Sequence, residues 1–87
     1  MTKPLRVLNR HSMLDADRPN AMYVGRGSPW GNPFKIGEHG NRVQCIQLFE
    51  IEILPTLDLT ALRGKDLICY CAPLMCHADV LLREANK

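Results

Sequence analysis

Leu67-Ile-Cys-Tyr-Cys71-Ala-Pro-Leu-Met-Cys76-His77 is the stretch whose reading decides the fold. Its first five residues are a continuous apolar run of the kind a strand shows when both faces are covered. Its last two open a helix that runs to about Ala85, with Val80, Leu81 and Ala85 facing inward. A buried strand passing through a short loop into a helix is the repeating step of an α/β sheet. Ligands in such proteins gather outside the carboxyl ends of the strands.

Working back from that step, Pro4 to Asn9 reads as a first strand and Ala21-Met-Tyr-Val24 as a second, with a polar loop over Asp15 to Asn20 between them. Gly25-Arg26-Gly27-Ser28 ends the second strand. Prolines and glycines then punctuate the chain from Pro29 to Gly40, which predicts a long structured loop. Asn41 with Gln44 three residues on forms a capping box. The helix it opens runs from Arg42 to about Leu54, with Val43, Ile46, Phe49 and Ile53 at helical spacing and Pro55 as its stop. A shorter helix over Asp58 to Arg63 precedes the third strand. The expected architecture is a single domain over residues 1–87: a small open three-stranded α/β sheet with flanking helices, in the order β-β-α-α-β-α.

At 87 residues the chain is near the size at which one apolar core becomes marginal. Its five aromatics leave most of the packing to aliphatic side chains. The net charge of +2 is too small to mark a nucleic-acid binder by itself, although most of the positive charge lies in the N-terminal half. Met1-Thr-Lys-Pro leads into no apolar run, and no stretch approaches the ~20 residues of a membrane span. The expected location is therefore the cytoplasm. There, clustered cysteines read as metal-binding or reactive rather than as structural disulfides.

Three of the four cysteines and one of the three histidines fall between residues 69 and 77. Zinc is one reading, with Cys71, Cys76 and His77 as ligands and Cys69 a weaker fourth. Spacing argues against a four-ligand cage. Residues two apart on a strand, such as Cys69 and Cys71, have Cβ atoms roughly 7 Å apart, and adjacent helical residues diverge. A second reading makes Cys76 and His77 catalytic. A thiol at a helix N-terminus feels the positive end of the dipole, which lowers its pKa, and the imidazole can exchange protons beside it. The third reading is packing alone. Cys69 reads as a core residue apart from the other three, Cys45 as core on the first helix, and His77 as a cap bonding a loop carbonyl.

The parallel arrangement brings the Gly25–Ser28 turn to the same sheet edge. Gly25, Arg26, Gly27 and Ser28 can surround a phosphate, although a tight turn needing a positive φ explains the glycines equally well. Trp30 and Asn32 suit a nucleobase, by stacking and by an edge hydrogen bond, and Arg42 borders the same cleft. Phe34 reads as a pin for the loop.

Four ordered motifs carry a resemblance over nearly the whole chain: Tyr23-Val-Gly-Arg-Gly-Ser-Pro-Trp-Gly-Asn-Pro-Phe34, Gly37-Glu-His-Gly-Asn-Arg42, Leu62-Arg-Gly-Lys65 and Cys69 to His77. Together they resemble the family catalogued as domain of unknown function 4326, found in bacteria and phages. The resemblance implies a fold and a site without an assigned activity. One departure is Ala78, where a glycine is expected before Asp79, so a side chain intervenes at the helix start. Three functional expectations follow. The first is binding or processing of a nucleotide-like or phosphorylated small molecule. The second is a zinc-stabilised interaction module, such as a phage product acting on a host protein. The third is nucleic-acid binding through the basic half.

Overall fold

The computed structural model describes residues 5–71 and 74–87. The expected strand start at Pro4, and Ala72 and Pro73 of the cysteine loop, lie outside the described residues. Three short strands form one parallel sheet: β1 (Val7–Asn9), β2 (Ala21–Tyr23) and β3 (Asp66–Cys69). Their spatial order is β1-β3-β2, with Leu67 opposite both Val7 and Met22. The last strand in the chain is thus the central one. All four of its residues are buried, as the apolar run predicts, and it ends at Cys69 rather than Cys71.

Asp66 is the charged member of that buried strand, and Arg6 accounts for it. The Arg6 amide donates to Asp66 Oδ1 at 2.8 Å and its guanidinium to Oδ2 at 2.9 Å. A buried carboxylate is tolerable when paired and hydrogen-bonded in this way. The residues expected as a loop before β2 form a 3₁₀ segment, Asp15–Asn20.

Helix α1 (Arg42–Leu48) begins where the capping box places it. Asn41 Oδ1 accepts from the Gln44 amide and Gln44 Oε1 from the Asn41 amide, both at 2.9 Å. A cap of this kind contributes about 1 kcal/mol. The helix does not continue regularly to Leu54. It widens to a π-helical turn over Phe49–Ile53 and tightens to a 3₁₀ turn over Leu54–Thr56. Pro55 can neither donate to the carbonyl of Ile51 nor fit against it, so the pitch changes ahead of it. Val43, expected to face inward, is exposed, whereas Phe49 is completely buried. The expected second helix contracts to a 3₁₀ turn, Thr60–Leu62. Helix α2 (His77–Ala85) matches its expected span.

The core joins Val24, Phe49, Leu62, Leu67, Cys69 and Leu81. It sits between the sheet, the π-helical turn that follows α1, and α2. No helix among the described residues is long and apolar enough to cross a membrane.

Candidate functional site

A pocket of about 390 Å³ opens where β2 and β3 end. The turn after β2 supplies Gly25 and Arg26, and the end of β3 supplies Cys69, Tyr70 and Cys71. The start of α2 adds Cys76 and His77. Across from them stand Arg42, Cys45 and Ile46 of α1, with Asn32, Phe34 and Ile36 of the long loop. The cleft expected from the parallel strands is therefore present, and its walls are mainly apolar.

Backbone geometry around the glycine turn shows why its residues divide between pocket and scaffold. The Ser28 amide donates to Gly25 O at 3.1 Å, and Gly27 takes the positive φ of 92° that such a turn requires. Ser28 Oγ donates to the same carbonyl at 2.6 Å and accepts from the Trp30 amide at 3.3 Å. Gly27 and Ser28 face a separate, shallower recess beside Lys35, not the main pocket. Arg26 borders both. Its carbonyl accepts from the Tyr23 hydroxyl at 2.9 Å, and the residue is exposed.

Trp30 corrects the base-stacking expectation. Its indole packs on the core and Nε1 donates to the Asp58 carbonyl at 3.0 Å, away from the pocket. A long loop needs an anchor, and the largest aromatic supplies it. Asn32 lines the pocket but is engaged in holding the loop, with Nδ2 donating to Cys45 O at 3.2 Å and Oδ1 accepting from the Phe34 amide at 2.9 Å. Arg42 also lines the pocket, and its Nη1 donates to the Met75 carbonyl at 3.2 Å, joining α1 to the cysteine loop.

The cysteines are all free thiols. Cys69 is a core residue as expected, but it is not separate from Cys76, because their sulfurs lie 3.3 Å apart. The Cys71 amide donates to Cys69 Sγ at 3.4 Å. Cys76 caps α2, and its amide donates to Asp79 Oδ2 at 2.9 Å. Its acidity runs opposite to the helix-dipole expectation. The hydrogen bond with Cys69, followed by burial, pushes the Cys76 thiol far above the usual thiol range. Cys45, expected to lie apart from the cluster, forms part of the same pocket wall.

His77 Nε2 donates to the Val24 carbonyl at 2.7 Å. Burial holds the imidazole below its ordinary pKa of 6.5 despite that bond, and the nearby Arg26 charge acts in the same direction as burial. The ring is therefore neutral at physiological pH, with its proton on the nitrogen facing Val24. Ala78 is buried in the core rather than standing in the pocket, so the methyl group in place of glycine leaves the cleft open.

Among the described residues no three or more Cys, His, Asp or Glu side chains converge as a metal-holding group. Cys71, Cys76 and His77 share a pocket without forming one. The Cys76 sulfur meets Cys69, and the His77 ring turns to a carbonyl.

Sequence reasoning missed Tyr23, Tyr70, Ile36 and Ile46 as pocket residues. Tyr70 follows the buried strand and is 52% exposed, with its ring edge-on to Tyr23 and tilted against His11. Cys45 is buried on the first helix as expected, and its place in the pocket wall depends on the end of β3 and the start of α2, which lie far away in sequence.

Comparison with known proteins gives a family without an activity. An uncharacterised 12.4 kDa protein from the nrdA-td intergenic region of Enterobacteria phage T4 is 31% identical, the match covering 74% of this chain. The match spans 66% of the phage protein's length. No solved structure matches. Residues 7–87 match the family described as Domain of unknown function (DUF4326), and the chain belongs to that family.

Proposed function

We propose that this domain binds a phosphorylated, nucleotide-like small molecule in the pocket at the ends of β2 and β3. The supporting observation is the composition of the pocket wall. Arg26 and Arg42 line it, no Asp or Glu among the described residues does, and the remaining surface is largely apolar. Two guanidiniums beside an apolar cleft suit a ligand with an anionic end and a flat hydrophobic body. Tyr23, Phe34 and Tyr70 offer aromatic surface for that body, in place of Trp30. A volume of about 390 Å³ suits a small molecule.

Binding is favoured over processing by the state of the thiol. Cys76 is buried and protonated, which is a poor condition for a nucleophile. His77 spends its ring proton on Val24 and acts as a neutral, fixed wall.

The test is a thermal-shift panel of nucleoside mono-, di- and triphosphates, with the parent nucleosides and inorganic phosphate as controls. Phosphorylated members stabilise the protein and the bare nucleosides do not. Arg26→Ala weakens binding roughly tenfold or more, equivalent to about 1.4 kcal/mol. That variant is cleaner than Arg42→Ala, which also loses the Met75 contact. No stabilisation by any member, with Arg26→Ala indistinguishable from the parent, overturns the reading.

A further inference from the structure

Cys69 ends the central strand, Cys76 caps the helix that follows, and both line the pocket. Their sulfurs are 3.3 Å apart, already in contact, and need to approach by only about 1.3 Å to reach the length of a covalent S–S bond. Cys45 lies on the same wall, but its sulfur is directed at the Gly40 carbonyl, 3.8 Å away. Cys71 meets Cys69 through its backbone amide. The sulfur-to-sulfur contact therefore points to Cys69 and Cys76 as the pair.

Access then selects the oxidant. Cys69 and Cys76 are 1% and 4% exposed, so a partner protein's disulfide cannot reach either sulfur. A molecule small enough to enter the pocket can.

We propose that Cys69 and Cys76 form an intramolecular dithiol–disulfide couple oxidised by a small peroxide that enters the pocket. One thiol gives up its proton, and its sulfur attacks hydrogen peroxide. The O–O bond breaks, and the product is a sulfenic acid plus water. The second sulfur then attacks the sulfenic sulfur, the S–S bond forms, and a second water leaves with the remaining thiol proton. Two thiols and one peroxide thus become one disulfide and two waters. The sulfurs lose two electrons and the peroxide oxygens gain them. This chemistry needs no ligand in the pocket. Burial makes the first step slow, because the attacking species is the thiolate.

The folded, reduced protein is treated with hydrogen peroxide, then denatured and alkylated, and its peptides are mapped by mass spectrometry. The expected result is loss of two of the four titratable thiols. It is accompanied by a cross-linked peptide joining Cys69 to Cys76 in the monomer, reversed by dithiothreitol. Cys45→Ala retains the cross-link and Cys76→Ser abolishes it. If Cys76→Ser does not fold, the peptide map of the unsubstituted protein decides alone. Four remaining thiols, a cross-link through Cys45 or Cys71 instead, or oxidation without any cross-link overturns the proposal.

Discussion

His77 Nε2 donates to the carbonyl of Val24 at 2.7 Å, tying the first turn of α2 to the residue that follows β2. The same ring stands edge-on to Phe49 of the π-helical turn, with centroids 5.1 Å apart. One pocket-lining side chain therefore ties α2 both to the end of β2 and to the π-helical turn.

Stability depends on pH through this residue. Burial lowers the native pKa of His77 below its ordinary 6.5. In the unfolded chain the imidazole takes a proton near 6.5, while the native ring stays neutral. The stability contribution is fully present above 6.5, is lost as pH falls from there through the lowered native value, and levels off below it. Urea midpoints measured from neutral pH downward show the decline. His77→Gln keeps an amide donor for Val24 but cannot titrate, and it shows a shallower decline. Equal slopes in the two proteins would remove His77 from the account.

Trp30 is an anchor, and its substitutions separate its two contacts. Trp30→Phe keeps much of the apolar packing but loses the 3.0 Å bond to Asp58, at a cost of about 1 kcal/mol. Trp30→Ala loses both and costs roughly 2–4 kcal/mol. Denaturation at constant pH measures the difference. A Trp30→Ala protein as stable as the parent would mean that the loop is held by something else.

Gly31 lies where two stretches of backbone meet. A Cβ there would stand 2.9 Å from the Gly25 carbonyl oxygen and 3.1 Å from Arg26 Cα, neither of which can swing aside as a side chain can. Gly31→Ala should cost about 1–3 kcal/mol and displace the Gly25–Arg26 wall of the pocket. Denaturation gives the cost, and amide chemical shifts at residues 25 and 26 report the displacement. A change within about 0.5 kcal/mol and unmoved amides would contradict the packing argument.

Local rules made the frame of the molecule readable. The apolar run from Leu67 read as a strand covered on both faces, and β3 is buried throughout. Asn41 and Gln44 marked the start of α1 because a capping box is a local hydrogen-bond exchange. The cleft followed from parallel strands sharing a carboxyl edge. What escaped depends on distant partners. Trp30 meets Asp58, and Cys69 meets Cys76 across a loop, neither of which follows from periodicity. Dipole reasoning set the direction for Cys76 from its helix alone, and the neighbouring sulfur reversed it. The pitch change at Phe49–Ile53 belongs to the approach of Pro55, a signal read only as a stop.

The strand order has a consequence for how the chain matures. β1 and β2 never pair with each other; each is hydrogen-bonded to β3 alone. The first register pair of β1 joins Val7 to Leu67, near the opposite end of the chain. A growing polypeptide that has not reached Asp66 therefore holds two strands and no sheet, and both must wait for the same late segment. Non-local pairing of this kind slows folding. It also means that the thiol-bearing strand is the keystone: the strand that brings Cys69 to the pocket wall is the one that first makes a sheet possible.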